Sequence, residues 1–179
     1  AFLNQKDFYA GTNNGLYYIN LNSNENFKLV KNSNGQVYSL NQIGSSMLMG
    51  HHNGAFMINN FSAANYHKQL GAWLFREMPN NKQLVLGGYY NGLALFKYEN
   101  EKLIFKNKLK GFDESARVME FDEAGNLWVT HGYKGAYKIK FEQDEINEVS
   151  FYGSNKGFPS NNLIIVYKIS NELVFTSEK

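Results

Sequence analysis

The 179-residue chain has no cysteine, only 2 prolines and almost no net charge, formally +2. Without cysteine there is no disulfide framework, an absence that fits either side of a membrane because a β-domain of this size needs no covalent staples. With acids and bases interspersed, no field of one sign favours nucleic acid or an anionic membrane surface as partner. No apolar run approaches the roughly 18 residues of a transmembrane helix. The opening Ala1-Phe2-Leu3-Asn4-Gln5 lacks a basic region followed by an apolar one, and so reads as a start inside a mature protein. There is no nucleophile elbow, no glycine-rich phosphate loop and no calcium-loop pattern, so the sequence indicates no catalytic residue, no metal site and no cofactor.

Large buriable side chains are abundant. Apolar residues make up 43% and aromatics 16%, with 14 Phe and 12 Tyr, far too many for a disordered segment. The 16 glycines, with frequent asparagine and little proline, describe many tight turns at positive φ rather than stiff linkers. The glycines are periodic. Gly11-Thr12-Asn13-Asn14-Gly15-Leu16, Gly50-His51-His52-Asn53-Gly54-Ala55 and Gly88-Tyr89-Tyr90-Asn91-Gly92-Leu93 are near-copies, and His131-Gly132-Tyr133-Lys134-Gly135-Ala136 keeps the second glycine. A recurrence about every 40 residues is the mark of a repeat architecture whose units bury their faces on their neighbours.

Short apolar runs flank each motif and predict a hairpin of strands B and C: Phe8 to Ala10 with Leu16 to Ile19, Met47 to Met49 with Ala55 to Ile58, Leu84 to Leu86 with Leu93 to Phe96, and Leu127 to Val129 with Ala136 to Ile139. A further B run is Leu173 to Phe175. Strand A precedes B at Val37 to Leu40, Trp73 to Phe75, Val118 to Phe121 and Leu163 to Tyr167. A more polar strand D follows C at Phe27 to Val30, Leu103 to Lys108 and Glu148 to Tyr152. B and C are apolar at both parities, so both of their faces must be covered, whereas D carries Lys106, Lys108 and Lys110 as a solvated edge. Trp73 and Trp128 fall in strand runs and are expected to pack between units. Four antiparallel strands per unit describe an all-β, β-propeller blade. The units read as 1–34, 35–70, 71–110, 111–156 and an incomplete 157–179, in a single domain. In this reading the chain opens on a B strand and ends on another. Its ends do not complement one another, so an arc of a larger ring, with self-association through raw edges, is expected.

The segment Asp122-Glu123-Ala124-Gly125-Asn126-Leu127-Trp128-Val129-Thr130, followed by Lys134-Gly135-Ala136, resembles the two-component regulator propeller repeat. So does Gly157-Phe158-Pro159-Ser160-Asn161-Asn162, which Gly111-Phe112-Asp113-Glu114-Ser115 echoes. The first three units lack the tryptophan and the Asp-x-x-Gly-Asn turn. The resemblance implies a non-enzymatic sensor lying in the periplasm or otherwise outside the inner membrane, usually a seven-bladed ring. In that family a triple-tyrosine immunoglobulin-like domain, a membrane helix and a histidine kinase or DNA-binding output follow. None of those output parts is in this sequence. Carbohydrate sensing is common there. A kelch repeat would need a longer period and a double glycine in every unit, and WD40 would need a Trp-Asp signature that is missing.

In such a meander the B–C turns and D–A connections share one rim. The residues that vary there are Thr12, Asn13, His51, His52, Tyr89, Tyr90, His131 and Tyr133, with Asp113, Glu114, Asn155 and Lys156 from the connections. A polar, aromatic rim suits a small glycan, by stacking and hydrogen bonding, or a protein partner through tyrosine anchors. Each residue alone is also what an ordinary turn carries. Adjacent His51 and His52 diverge in direction and have no third ligand at a metal-binding spacing. Asp122 belongs to an A–B turn on the opposite rim, where Asp serves its own backbone. A passive interaction scaffold and a glycan-active enzyme are the alternatives, since propellers host both.

Overall fold

The computed structural model describes residues 1–4 and 6–178. Four antiparallel sheets of four strands follow one another along the chain. The first holds β1 (Phe2–Asn4), β2 (Asp7–Thr12), β3 (Gly15–Asn20) and β4 (Lys28–Leu29). The second holds β5 (Val37–Ile43), β6 (Ser46–His51), β7 (Gly54–Asn59) and β8 (Ser62–His67). The third is β9 (Leu74–Met78), β10 (Asn81–Tyr89), β11 (Gly92–Glu99) and β12 (Lys102–Lys108), and the fourth is β13 (Val118–Phe121), β14 (Leu127–His131), β15 (Gly135–Glu142) and β16 (Glu145–Tyr152). A two-stranded fifth sheet pairs β17 (Ile165–Ile169) with β18 (Glu172–Thr176). Each sheet is a plain meander.

The repeat and its four-stranded units are as the sequence predicts, with three differences. The chain opens on an A strand, because β1 pairs with β2; three residues are too short for apolar periodicity to show. Strand D of the second sheet, β8, has the composition Ser-Ala-Ala-Asn-Tyr-His, which carries neither β-branched residues nor alternation, and it forms because β7 offers it a paired edge. Trp73 precedes β9 rather than lying within it.

Side-chain alternation explains the doubly apolar strands. In β6, Met47 and Met49 join Tyr9 and Leu16 in the seam between the first and second sheets, while Leu48 turns the other way to meet Phe75 and Val85. In β10, Val85 and Tyr89 face the second sheet, and Leu84 and Leu86 face Met119 and Val129 of the fourth. The second and third sheets are thus slices with a core on both sides. Burying each such side chain contributes about 1.5–3 kcal/mol. At the far seam Trp128 stands edge-on to Phe175, 5.0 Å between ring centroids.

The turns show why Gly and Asn recur. Asn60-Phe61, Asn100-Glu101 and Gln143-Asp144 all have positive φ at both residues, the geometry of a two-residue hairpin turn that matches strand twist. At the B–C turn Gly54 adopts φ 125°, and a Cβ there would run into the main-chain carbonyl of His67. The D–A connection crosses so close to the hairpin that only glycine fits.

The A strands β5, β9, β13 and β17 lie side by side along the inner edge of the arc. They line two cavities that share Asn41 and Arg76. One, about 390 Å³, opens toward the rim carrying the B–C turns; the other, about 550 Å³, opens toward the A–B turns.

Candidate functional site

Backbone bonds stitch the B–C turns to the D–A connections. The Gly71 N–H donates to the His52 carbonyl at 2.7 Å, Tyr90 N–H to the Gly71 carbonyl at 3.1 Å, Gly92 N–H to the Glu114 carbonyl at 2.9 Å and Leu163 N–H to the Gly132 carbonyl at 2.8 Å. Turns and connections therefore do form one rim.

The first residue of each turn serves the scaffold. Thr12 Oγ1 accepts the Asn14 N–H at 3.1 Å, His51 Nδ1 the Asn53 N–H at 2.9 Å and His131 Nδ1 the Tyr133 N–H at 3.1 Å. All three caps bind the amide two residues on. His51 is buried against Phe56, and its Nε2 finds no hydrogen-bond partner among the described residues. Burial pushes its pKa down, with neighbouring His52 adding to the effect and the carbonyls of residues 33 to 35 opposing it. Tyr89 occupies the same turn position but is fully buried between the second and third sheets, its hydroxyl 2.9 Å from His67 Nδ1. His51 and Tyr89 consequently present no side chain to solvent at the rim. Asp113 and Glu114 are held by Lys108 at 2.6 Å and Lys134 at 2.8 Å. Asn13 and Asn155 are exposed, Tyr133 is 76% exposed, and the Lys156 ammonium sits over the Tyr152 ring.

Two of the sequence candidates, His52 and Tyr90, converge with Tyr38 and with Trp73, which the sequence assigned to packing between units. Tyr90 Oη lies 2.5 Å from Tyr38 Oη and 3.0 Å from His52 Nδ1, and Tyr38 donates to Gln36 Oε1 at 2.9 Å. The Trp73 ring packs against Tyr38 at 4.4 Å and edge-on to Tyr90 at 5.1 Å, while its Nε1 donates to Ser115 Oγ at 3.0 Å. Gly71, at φ 76°, lets the Tyr90 ring lie directly over its Cα. Burial and the bond to Tyr90 raise the Tyr38 pKa to about 12, with Arg117 opposing, so the Tyr38 hydroxyl stays protonated at neutral pH. Tyr38 and Trp73, which line the 390 Å³ cavity, join His52 and Tyr90 in an aromatic, hydrogen-bonding cluster beside it. Tyr38 and Trp73 were hidden in the sequence as rim residues because they fall in apolar runs that read as A strands, where an aromatic reads as core. Only the arrangement of the second and third sheets brings their rings beside the turns.

On the opposite rim Asp122 is structural, as its sequence context implies. Its carboxylate accepts the Asn126 N–H at 2.8 Å and Trp128 Nε1 at 3.1 Å. Burial acts to raise its pKa, but these bonds and the charge of Lys138 outweigh it and lower the value.

Among solved structures, the extracellular domain of the system BT4673 from B. thetaiotaomicron, described both as a one-component and as a hybrid two-component system, superposes with a TM-score of 0.74 at 16% identity over 98% of this chain. That of the hybrid two-component system BT3049 from the same organism gives 0.65 at 17% identity over 97%. The WD40 β-propeller domain of Doa1 gives 0.59 at 12% identity over 99%. The fold is that of a β-propeller. The propeller spans 25% and 24% of the two extracellular domains and 62% of the WD40 chain. No protein-family model matches it, and no curated protein sequence does.

Proposed function

We propose that this propeller arc is the recognition module of an extracytoplasmic signalling regulator and that it binds a saccharide at the mouth formed by Tyr38, His52, Trp73 and Tyr90. The observation that carries the reading is that cluster: rings with clustered hydroxyls and an imidazole, beside a cavity of monosaccharide size, are what stacking on a sugar with simultaneous hydrogen bonding requires. Structural likeness to extracellular domains of two-component systems supports a sensory role outside the inner membrane. A non-catalytic role fits the chemistry of the rim, where Asp113 and Glu114 are each paired with a lysine. Ligand occupancy would be passed on through a shift in the packing of neighbouring blades, to which Trp73 and Tyr38 both belong.

Isothermal titration with a panel of mono- and disaccharides tests this. Saturable binding by at least one sugar, weakened about tenfold or more in Trp73→Ala and Tyr90→Ala, is the expected outcome. Binding unaffected by either substitution would sink the assignment of the mouth.

A further inference from the structure

Charge is distributed unevenly along the inner face of the arc. The cavity at the mouth is lined by Arg76 and Arg117 and by no carboxylate, whereas the lower one carries both signs, Glu77, Glu120, Asp122 and Glu123 together with Arg76, Lys82 and Lys168. The two arginines are not equivalent. Arg76 is held in a bidentate pair with Glu120, Nε to Oε2 at 3.0 Å and Nη2 to Oε1 at 2.5 Å. Arg117 has no carboxylate within 4.0 Å among the described residues. Instead its guanidinium lies over the Trp73 ring, 5.2 Å from the centroid. A guanidinium pinned to an indole keeps its N–H edge free and pre-oriented, the geometry that receives a planar oxyanion through two parallel bonds. Trp73 is itself fixed by Ser115 and Tyr38, so Arg117 rests on a rigid support.

We infer that Arg117 is the anchor for a carboxylate, and that the mouth selects acidic saccharides of the uronic acid class over neutral ones. The inference rests on the saccharide reading of the same site and adds its charge preference. The carboxylate takes the free edge of Arg117. The sugar ring lies against the Tyr38 and Tyr90 side of the cluster, with the Tyr38, Tyr90 and His52 polar atoms meeting its hydroxyls.

Titration of the chain with D-glucuronate, D-galacturonate, D-glucose and D-galactose separates the two claims. At least one uronate is expected to bind about tenfold or more tighter than its neutral partner, as a charge-assisted bidentate bond predicts. That advantage should vanish in Arg117→Gln and be only partly kept in Arg117→Lys, which retains charge but loses the fork. Arg117 is exposed, so these variants are expected to fold, and unchanged melting curves would verify it. Equal binding of acidic and neutral sugars, or an advantage that survives Arg117→Gln, overturns the carboxylate anchor and leaves saccharide recognition standing. Silence toward all four sugars overturns both.

Discussion

His67 illustrates how one side chain joins packing to chemistry. Its ring stacks on Phe105 with centroids 4.3 Å apart and meets Phe96 and Tyr89 edge-on, and Nδ1 lies 2.9 Å from the only polar atom that Tyr89 buries. Burial lowers its pKa below the ordinary 6.5, as it does for His51 and for His131, where Lys134 adds to the effect and Glu114 opposes it. The folded chain therefore holds these rings neutral, while the unfolded chain takes up protons near pH 6.5. Stability is full above that value and declines as pH falls below it. The melting temperature is expected to drop between pH 7.5 and pH 5. His67→Phe should lower it at pH 7.5, by leaving the Tyr89 hydroxyl without an acceptor at a cost of about 1–3 kcal/mol, and should flatten its dependence on pH. An equal slope in the variant would remove His67 as a contributor. None of this was legible in the sequence, because β8 carries no strand signal and the partners lie 22 to 38 residues further along the chain.

At the scale of the element, the B–C hairpin was legible because its requirement is local and repeats. Gly54 recurs as Gly15, Gly92 and Gly135 since each turn needs positive φ, and in the second blade a neighbouring carbonyl occupies the space of a side chain. Gly54→Ala is expected to cost about 2 kcal/mol or more, from backbone strain together with displacement of the D–A connection, read as a shift in urea midpoint. The Asp122 turn was legible for the same reason, since its side chain accepts from Asn126 and Trp128, only four and six residues on. Asp122→Ala should cost about 1–2 kcal/mol by removing the acceptor of an amide and an indole at once. Thr12, His51 and His131 all cap their own turns, a role the sequence could not separate from ligand contact. Variation between blades looks the same whether a residue caps its own turn or greets a ligand, and only the hydrogen bonds tell the two apart.

Across the whole molecule, each blade meets only its neighbours, so stability is a sum over seams rather than one core. Phe75→Ala, at the fully enclosed second seam, should cost about 3–5 kcal/mol and destabilise the arc as a whole. Phe175→Ala, beside Trp128 and Phe158 in the two-stranded sheet, should release mainly β17 and β18. Hydrogen exchange distinguishes them: protection loss spread through β6 and β10 in the first variant and confined beyond Tyr152 in the second. The two end sheets leave Leu3, Phe27, Tyr167 and Ile169 uncovered. For this segment taken alone we propose concentration-dependent self-association, weakened by Tyr167→Lys with Ile169→Lys, and a sedimentation coefficient independent of concentration would refute it.

The amino-acid order by itself determined the repeat, the hairpins, the doubly covered strands and the Asp122 turn, because hydrophobic alternation and positive-φ turns are demands met within a few residues. Only the tertiary structure decided which rim residues face outward and which arginine stands unpaired. Tyr38, Trp73, Tyr90 and Arg117 come from three different blades, and their convergence depends on the angle at which those blades pack. That angle is set by the sum of all the seam contacts, a quantity no single segment of the chain contains.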